Sequence, residues 1–293
     1  MVWSCLVSIL PGMAQTEKLT DYVNPFVGTD GYGNVYPGAQ IPFGGIQISP
    51  DTDSRFYDAA SGYKYNHLTL MGFSLTHLSG TGIPDLGDFL FIPGTGEMKL
   101  EPGTHEDPDQ GYRSRYSHDK EWASPNYYAV ELADYGVKAE MTSGVRSGMF
   151  RFTYPESDNA FIMIDMNHTL WQSCEWSNLR MINDSTITGY KLVKGWGPER
   201  HVYFTATFSK KLTGLRFVQD KKPVIYNTSR FRSSYEAWGK NLMACISFDT
   251  KAGEEVTVKT AISAVSTDGA RNNMKELDGL TFNELRAKGE ALW

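Results

Sequence analysis

The sequence predicts an all-β protein, one large antiparallel β-sandwich that gives way to a helix only near its C-terminus. Three observations predict it. From about residue 126 apolar and polar residues alternate with period two, the spacing that lays one face of a strand on a core. These runs are short and are separated by turn sequences such as Pro155-Glu156-Ser157-Asp158, Gly195-Trp196-Gly197-Pro198 and Lys251-Ala252-Gly253. No apolar stripe of helical period and useful length occurs before residue 270.

Taken in order, the first 14 residues (MVWSCLVSILPGMA) read as a signal-peptide remnant. Leu6 to Leu10 is apolar, Gly12 and Ala14 are small residues ahead of a cut before Gln15, and the basic n-region is missing. A buried N-terminal strand is the alternative reading. Residues 15–269 are expected to form the sandwich domain. Between residues 24 and 112 Gly, Pro and aromatic side chains crowd together, which implies long loops between short strands. Loops of that kind on a rigid sheet are where ligands bind. Next come Tyr128, Val130 and Leu132, alternating with Ala129 and Glu131. Asp134-Tyr135-Gly136 turns the chain, and Val137, Ala139 and Met141 resume the pattern. Phe150, Phe152 and Tyr154 alternate around Arg151 and Thr153. Phe161 to Met166 is a short apolar run that fits a strand buried on both faces. Further strands are expected over 187–193, 202–208, 224–227, 242–248 and 256–265. Thr281-Phe282-Asn283-Glu284 is a capping box, and Phe282, Leu285, Gly289 and Leu292 follow at helical spacing. No Gly, Asn or Pro ends that helix before Trp293. Residues 270–293 are therefore expected to begin a helical linker into further protein.

Composition removes several classes of function. The 34 Asp and Glu outnumber the 28 Lys and Arg, giving a formal charge of −6, so no nucleic-acid partner is expected. No run of about 18 apolar residues exists, so no membrane span by helix is expected. Of the three cysteines, Cys5 belongs to the leader, while Cys174 and Cys245 lie beside apolar residues and read as buried free thiols. Aromatic residues at 13% hint at a ligand surface, although packing in a core is the default for each of them.

Several motifs invite chemistry and most decline it. Gly28-Thr29-Asp30-Gly31-Tyr32-Gly33 is glycine-rich, but its spacing and the following Asn34 to Pro37 do not suit a phosphate loop. It reads as a tight loop that needs positive φ. Asp51-Thr52-Asp53 opens like a calcium loop, yet Phe56 replaces the required Gly and Gly62 the bidentate Glu. Asp85 and Asp88 flank Gly87 and could be the two carboxylates of a glycosidase, or could simply cap turns, because positions three apart in an extended loop face different ways. His77 reads equally as a ligand contact or a structural histidine. Ser79 lacks the strand–turn–helix setting of a nucleophilic serine. Three sequons, at Asn167, Asn183 and Asn227, matter only in a eukaryotic secretory route, which nothing else suggests. Trp171, Trp176, Trp196 and Tyr57 lie in polar or Gly-rich connections, where an aromatic can lie flat on a sugar, though a core position is the default for any one.

Asn24 to Thr29, Tyr36-Pro37-Gly38-Ala39, Pro42-Phe43-Gly44 and Ser49-Pro50-Asp51-Thr52 together resemble glycoside hydrolase family 92, the calcium-dependent exo-acting α-mannosidases. The resemblance runs on through Ser61-Gly62-Tyr63-Lys64-Tyr65, Gly72-Phe73-Ser74 and His77-Leu78-Ser79-Gly80-Thr81-Gly82 to Asp85, Gly87 and Asp88, and covers the chain from residue 20 to Trp293. It implies an N-terminal β-sandwich of the supersandwich type, a helical linker, and a C-terminal (α/α)6 barrel. In such proteins calcium and the inverting acid and base carboxylates are held mainly by the barrel, and sandwich loops close over the mannose pocket at the domain interface. This chain would then be the sandwich alone, with no catalytic residue and no metal ligand of its own, and inactive by itself. Its partners would be mannose-containing glycans and the C-terminal domain. Its address would be the bacterial periplasm, the outer surface or the medium. Gly28, Asn34, Tyr57, His77, Ser79, Asp85 and Asp88 are the residues the resemblance places at or behind the pocket. The chain departs from the family where Tyr32 and Asn34 replace histidines, where Phe56 and Tyr57 stand near a common Trp, and where Ala60 replaces a Cys. Two other functions compete. One is a stand-alone carbohydrate-binding sandwich, the other an interface module whose loops only dock a partner.

Overall fold

The period-two stretches pair edge to edge into two antiparallel sheets in the computed structural model, which describes residues 17–54, 59–224 and 236–293. The first sheet has seven strands in the order β1 (Ser49–Asp51), β3 (Gly72–Ser74), β4 (Leu90–Thr95), β10 (Ser157–Asp165), β17 (Leu242–Thr250), β14 (Gly214–Gln219) and β15 (Lys222–Pro223). The second has nine: β16 (Glu236–Gly239), β11 (Ser173–Asn183), β12 (Thr186–Lys194), β13 (Arg200–Phe208), β18 (Glu254–Ser263), β9 (Ser147–Tyr154), β8 (Val137–Ser143), β7 (Tyr127–Leu132) and β6 (Glu121–Ser124). A two-stranded ribbon, β2 (Thr69–Leu70) with β5 (Ser114–Arg115), sits apart.

The sheets bury their facing sides on each other. Phe73, Phe91, Ile162, Ile164, Ala244 and Ile246 come from one side. Tyr128, Val130, Phe150, Phe152, Ile187 and Phe204 come from the other. Strand β10 shows why its sequence is apolar throughout. Ile162 and Ile164 point into that core, while Phe161 and Met163 point the other way into a second cluster with Leu90, Ile92 and Tyr112. Both faces of the strand are covered, so no polar alternation survives.

The expected strands over 187–193, 202–208 and 242–248 are present within slightly longer elements, and the one expected over 256–265 runs instead over Glu254–Ser263. Of 224–227, only the start lies among the described residues, and the strand there is Lys222–Pro223. The leader, Cys5 and Tyr57 lie outside the described residues. Cys174 and Cys245 are buried free thiols, and burial pushes both up from the ordinary thiol range.

Two helices close the chain, α1 (Thr267–Met274) and α2 (Phe282–Leu292). Helix α2 starts on the capping box read from the sequence, with Thr281 and Glu284 bonding each other's backbone. Its Phe282 and Leu285 pack with Tyr127, Ala129 and Met149 on the outer face of the nine-stranded sheet. Gly289 faces Asn126, whose Nδ2 would lie 1.5 Å from any added Cβ, so the helix can approach this closely only with glycine there.

Candidate functional site

Two buried carboxylates organise the loop end of the sandwich. Asp51, the last residue of β1, is fully buried. Its Oδ1 meets His77 Nε2 at 2.8 Å and its Oδ2 meets His168 Nε2 at 2.8 Å. His77 is held from its other side by Nδ1 at 2.8 Å from the Gln47 carbonyl. Burial alone would push the Asp51 carboxyl up, but the two histidines more than offset it and hold it well below the usual carboxylate range. Gly62 completes the clamp. It has φ +87°, and an added Cβ would lie 2.1 Å from Asp51 Oδ1.

Asp88 is the second hub and is also fully buried. It accepts from Thr76 Oγ1 at 2.7 Å, from Lys191 Nζ at 3.1 Å and from the Arg200 guanidinium at 2.5 and 3.1 Å. Burial raises this carboxyl too, and Lys191 and Arg200 outweigh burial, leaving it well below the ordinary range. Lys191 on β12 is itself fully buried and donates to the His168 carbonyl at 2.6 Å. The two hubs are thereby joined through His168. Together they tie the 76–88 loop, the 166–172 loop and both sheets into one rigid floor.

On that floor the structure brings several predicted residues together. Gly28 (φ +85°) and Gly31 (φ +59°) turn the chain tightly, as expected for the glycine-rich loop. The Gly33 Cα sits so near Gly28 that an added Cβ would lie 2.2 Å from the Gly28 carbonyl oxygen. Asn34, at φ +50°, accepts from the Gly80 amide at 2.7 Å through its carbonyl, which sets the glycine-rich loop against the exposed Ser79 tip. Asp85 is buried and its Oδ1 accepts from the Leu86 amide at 2.6 Å, the geometry of a turn cap. Gly28, Asn34 and Ser79 thus form one loop cluster, with Asp85 in the same turn. His77 and Asp88 brace that cluster from the interior, and Asp85 and Asp88 do not share a ligand-facing site.

Beside the cluster lies a cleft of about 990 Å³. Met71, Tyr112 and Met243 line it together with Asp165, Asn167, His168 and Trp171. Ser54 reaches the cleft too, which brings the chain up to the edge of the undescribed residues 55–58. Trp171 is the feature that sequence reasoning undervalued. It is 55% exposed, and its backbone lies at φ +78°, a left-handed conformation that a bulky residue adopts only against strain. The default of a core position is corrected for Trp176 and Trp196 as well, which are 46% and 67% exposed. Asp51, His168, Lys191 and Arg200 also went unnoticed as a set. The one available signal was a lysine inside a strand-forming run, where a charge must find a partner.

Among the described residues no group of three or more His, Cys, Asp or Glu side chains could hold a metal ion. The two hub carboxylates are already engaged, Asp51 by His77 and His168 and Asp88 by Lys191 and Arg200. The carboxyls of Asp51, Asp88 and Glu140 are all displaced downward, opposite to the shift that suits a general acid at neutral pH.

The glycosyl hydrolase family 92 N-terminal domain model matches residues 22–263. The chain is 30% identical to an uncharacterized secreted glycosidase of Arthroderma benhamiae, across 93% of this chain and 37% of that protein. It superposes on the structure of a family 92 glycosyl hydrolase, CcMan5, with TM-score 0.78 at 26% identity, covering 94% of this chain and 36% of that one. The fold is also that of a family 92 inverting mannosidase from Bacteroides thetaiotaomicron, with TM-score 0.78, 24% identity, and coverage of 95% and 36%. The chain therefore spans little more than a third of the length of the relatives it matches.

Proposed function

This chain belongs to glycosyl hydrolase family 92, as its N-terminal domain, and from that premise we propose that it supplies the glycan-gripping half of an exo-acting, inverting α-mannosidase of α-1,2 type. The observation that carries the reading is Trp171, a strained and half-exposed ring over a 990 Å³ cleft edged by Asp165, Asn167 and His168. An apolar ring face beside fixed donors and acceptors suits a pyranose, whose one face is C–H and whose rim is hydroxyl. The loop cluster of Gly28, Asn34, Ser79 and Asp85 closes the same end of the sandwich.

Hydrolysis with inversion requires a carboxylic acid and a separate carboxylate base with room for water between them. Among the fully buried carboxylates, Asp51 and Asp88 are occupied by histidines, a lysine and an arginine, and Asp53 lies 3.3 Å from His105 Nε2. We assign the acid, the base and calcium to a C-terminal domain. The exposed apolar side chains we assign to that contact are Val27, Tyr32 and Phe43, which are 74%, 92% and 105% exposed. Trp293 at the end of α2 donates from Nε1 to the Gln40 carbonyl at 2.9 Å, which ties that helix to the segment carrying the exposed Phe43. An exported enzyme, acting in the periplasm, at the surface or outside, accords with the secreted relative.

A stand-alone sugar-binding sandwich is the second reading, favoured by the cleft being formed within this chain. Calorimetry with α-mannobiose and a mannose-release assay on the purified chain test both. The proposal expects weak binding that disappears in Trp171→Ala, and no release. Release by the purified chain overturns the assignment of the acid and base, and tight binding without release establishes the second reading.

A further inference from the structure

The outer face of β11, β12, β13 and β16 carries a second set of aromatic side chains, away from the cleft. The register places them in a row. Trp238 on β16 stands opposite Asn178 on β11, Asn178 opposite Tyr190 on β12, and Tyr190 opposite Tyr203 on β13. Residues directly opposite share a face, so all four side chains project the same way. Strands about 4.8 Å apart put Trp238 roughly 10 Å from Tyr190 and roughly 14 Å from Tyr203. Tyr190 and Tyr203 rings lie 4.8 Å apart, and the Tyr190 hydroxyl meets His201 Nδ1 at 3.0 Å. Trp176 sits one pleat along β11 on the same face and is 46% exposed, while Trp238 is 54% exposed.

Between Trp238 and the wall made by α1 runs a groove of about 450 Å³. Its charged groups are Arg180 and Glu236 on adjacent strands and Arg271 and Asp268 on α1. The charges balance two against two, and Arg271 is bonded to Asp268. Such a groove offers many donors and acceptors with no net field. That balance suits neither a phosphorylated ligand nor an acidic or basic peptide. It is also too polar for an apolar helix. We propose that this face is a binding platform for a run of uncharged sugar rings, separate from the cleft, with Trp238 and Tyr190 as stacking surfaces and Arg180, Asn178 and Glu236 as hydroxyl partners.

Affinity electrophoresis of the purified chain tests it, in native gels containing soluble α-mannan, β-glucan or no polysaccharide. The expected result is retardation by α-mannan, reduced about tenfold in apparent affinity by Trp238→Ala. It is retained in Trp238→Phe, and retained in Trp171→Ala, which touches only the cleft. Trp238 is half-exposed on an edge strand, and an unchanged thermal melt of Trp238→Ala verifies that the variant folds. The choice of mannan rests on the proposed function. Retardation by β-glucan alone, lost in Trp238→Ala, supports the platform while removing the mannan reading. Retardation equal in Trp238→Ala and the parent, or retardation by neither polysaccharide, overturns the platform and leaves the face to a protein partner.

Discussion

Replacing Asp88 by leucine would show whether the loop end is held together by its buried charges. In the parent, one carboxylate joins Thr76, Lys191 and Arg200. Without it, the fully buried Lys191 ammonium keeps only the His168 carbonyl, at 2.6 Å, and stands over the Phe89 ring, 5.3 Å from its centre. Arg200 is less affected, because its side chain is 26% exposed and can turn to water. Stranding one charge of a buried pair costs about 3–5 kcal/mol. At about 2–4 °C per kcal/mol for a chain of this size, the melting temperature should fall by roughly 6–20 °C. Asp88→Leu combined with Lys191→Met should recover most of that loss, since both charges are then gone. The pH profile supplies an independent reading. The folded-state carboxyl lies below the free one, so its stabilisation is complete above about pH 4 and fades as pH falls further. In Asp88→Leu that part of the acid loss disappears, while Asp51, held low by His77 and His168, continues to contribute its own. Thermal melts followed by near-ultraviolet circular dichroism between pH 3 and 8 measure all of this. A shift under about 2 °C for Asp88→Leu at pH 7, or a double variant no better than the single one, would refute the reasoning.

Other perturbations test separate parts of the structure. Gly62→Ala drives a methyl to 2.1 Å from Asp51 Oδ1 at φ +87°, and should lower stability by more than about 2 kcal/mol in a denaturant titration. Gly289→Ala meets Asn126 at 1.5 Å and should cost about 1–3 kcal/mol, with faster hydrogen exchange confined to α2 and the 126–127 turn. Trp171→Asn relieves a left-handed backbone at φ +78° with a residue that tolerates it. Its melting temperature should equal or exceed the parent's while α-mannobiose binding is lost; a clear drop in stability would show the ring to be structural.

Much of the fold could be read along the chain. The strands from residue 126 onward are written in alternation, because one face of each lies on the core and the other does not. Strand β11 escaped for the same reason in reverse. Its outward side carries Trp176, Asn178 and Arg180, its inward side includes Ser177, and the contrast that marks a strand is missing. Its two faces are set by partners in β12 and β16, which no local window contains. The helix start at Thr281 needed no such help, since a capping box is made within four residues.

The sequence by itself determined the family, the strand-rich architecture, the positive-φ turns of the glycine-rich loop and the capped terminal helix. Each of these depends on residues close together in the chain or on strings distinctive enough to stand alone. Only the tertiary structure decided that His77 and Asp88 brace the loops from within, and that Trp171, Trp176 and Trp238 face outward. Those outcomes turn on partners such as His168 for Asp51 and Arg200 for Asp88, which lie more than a hundred residues away. Burial of a side chain belongs to the pair of surfaces that meet there, and neither surface is written in its own neighbourhood.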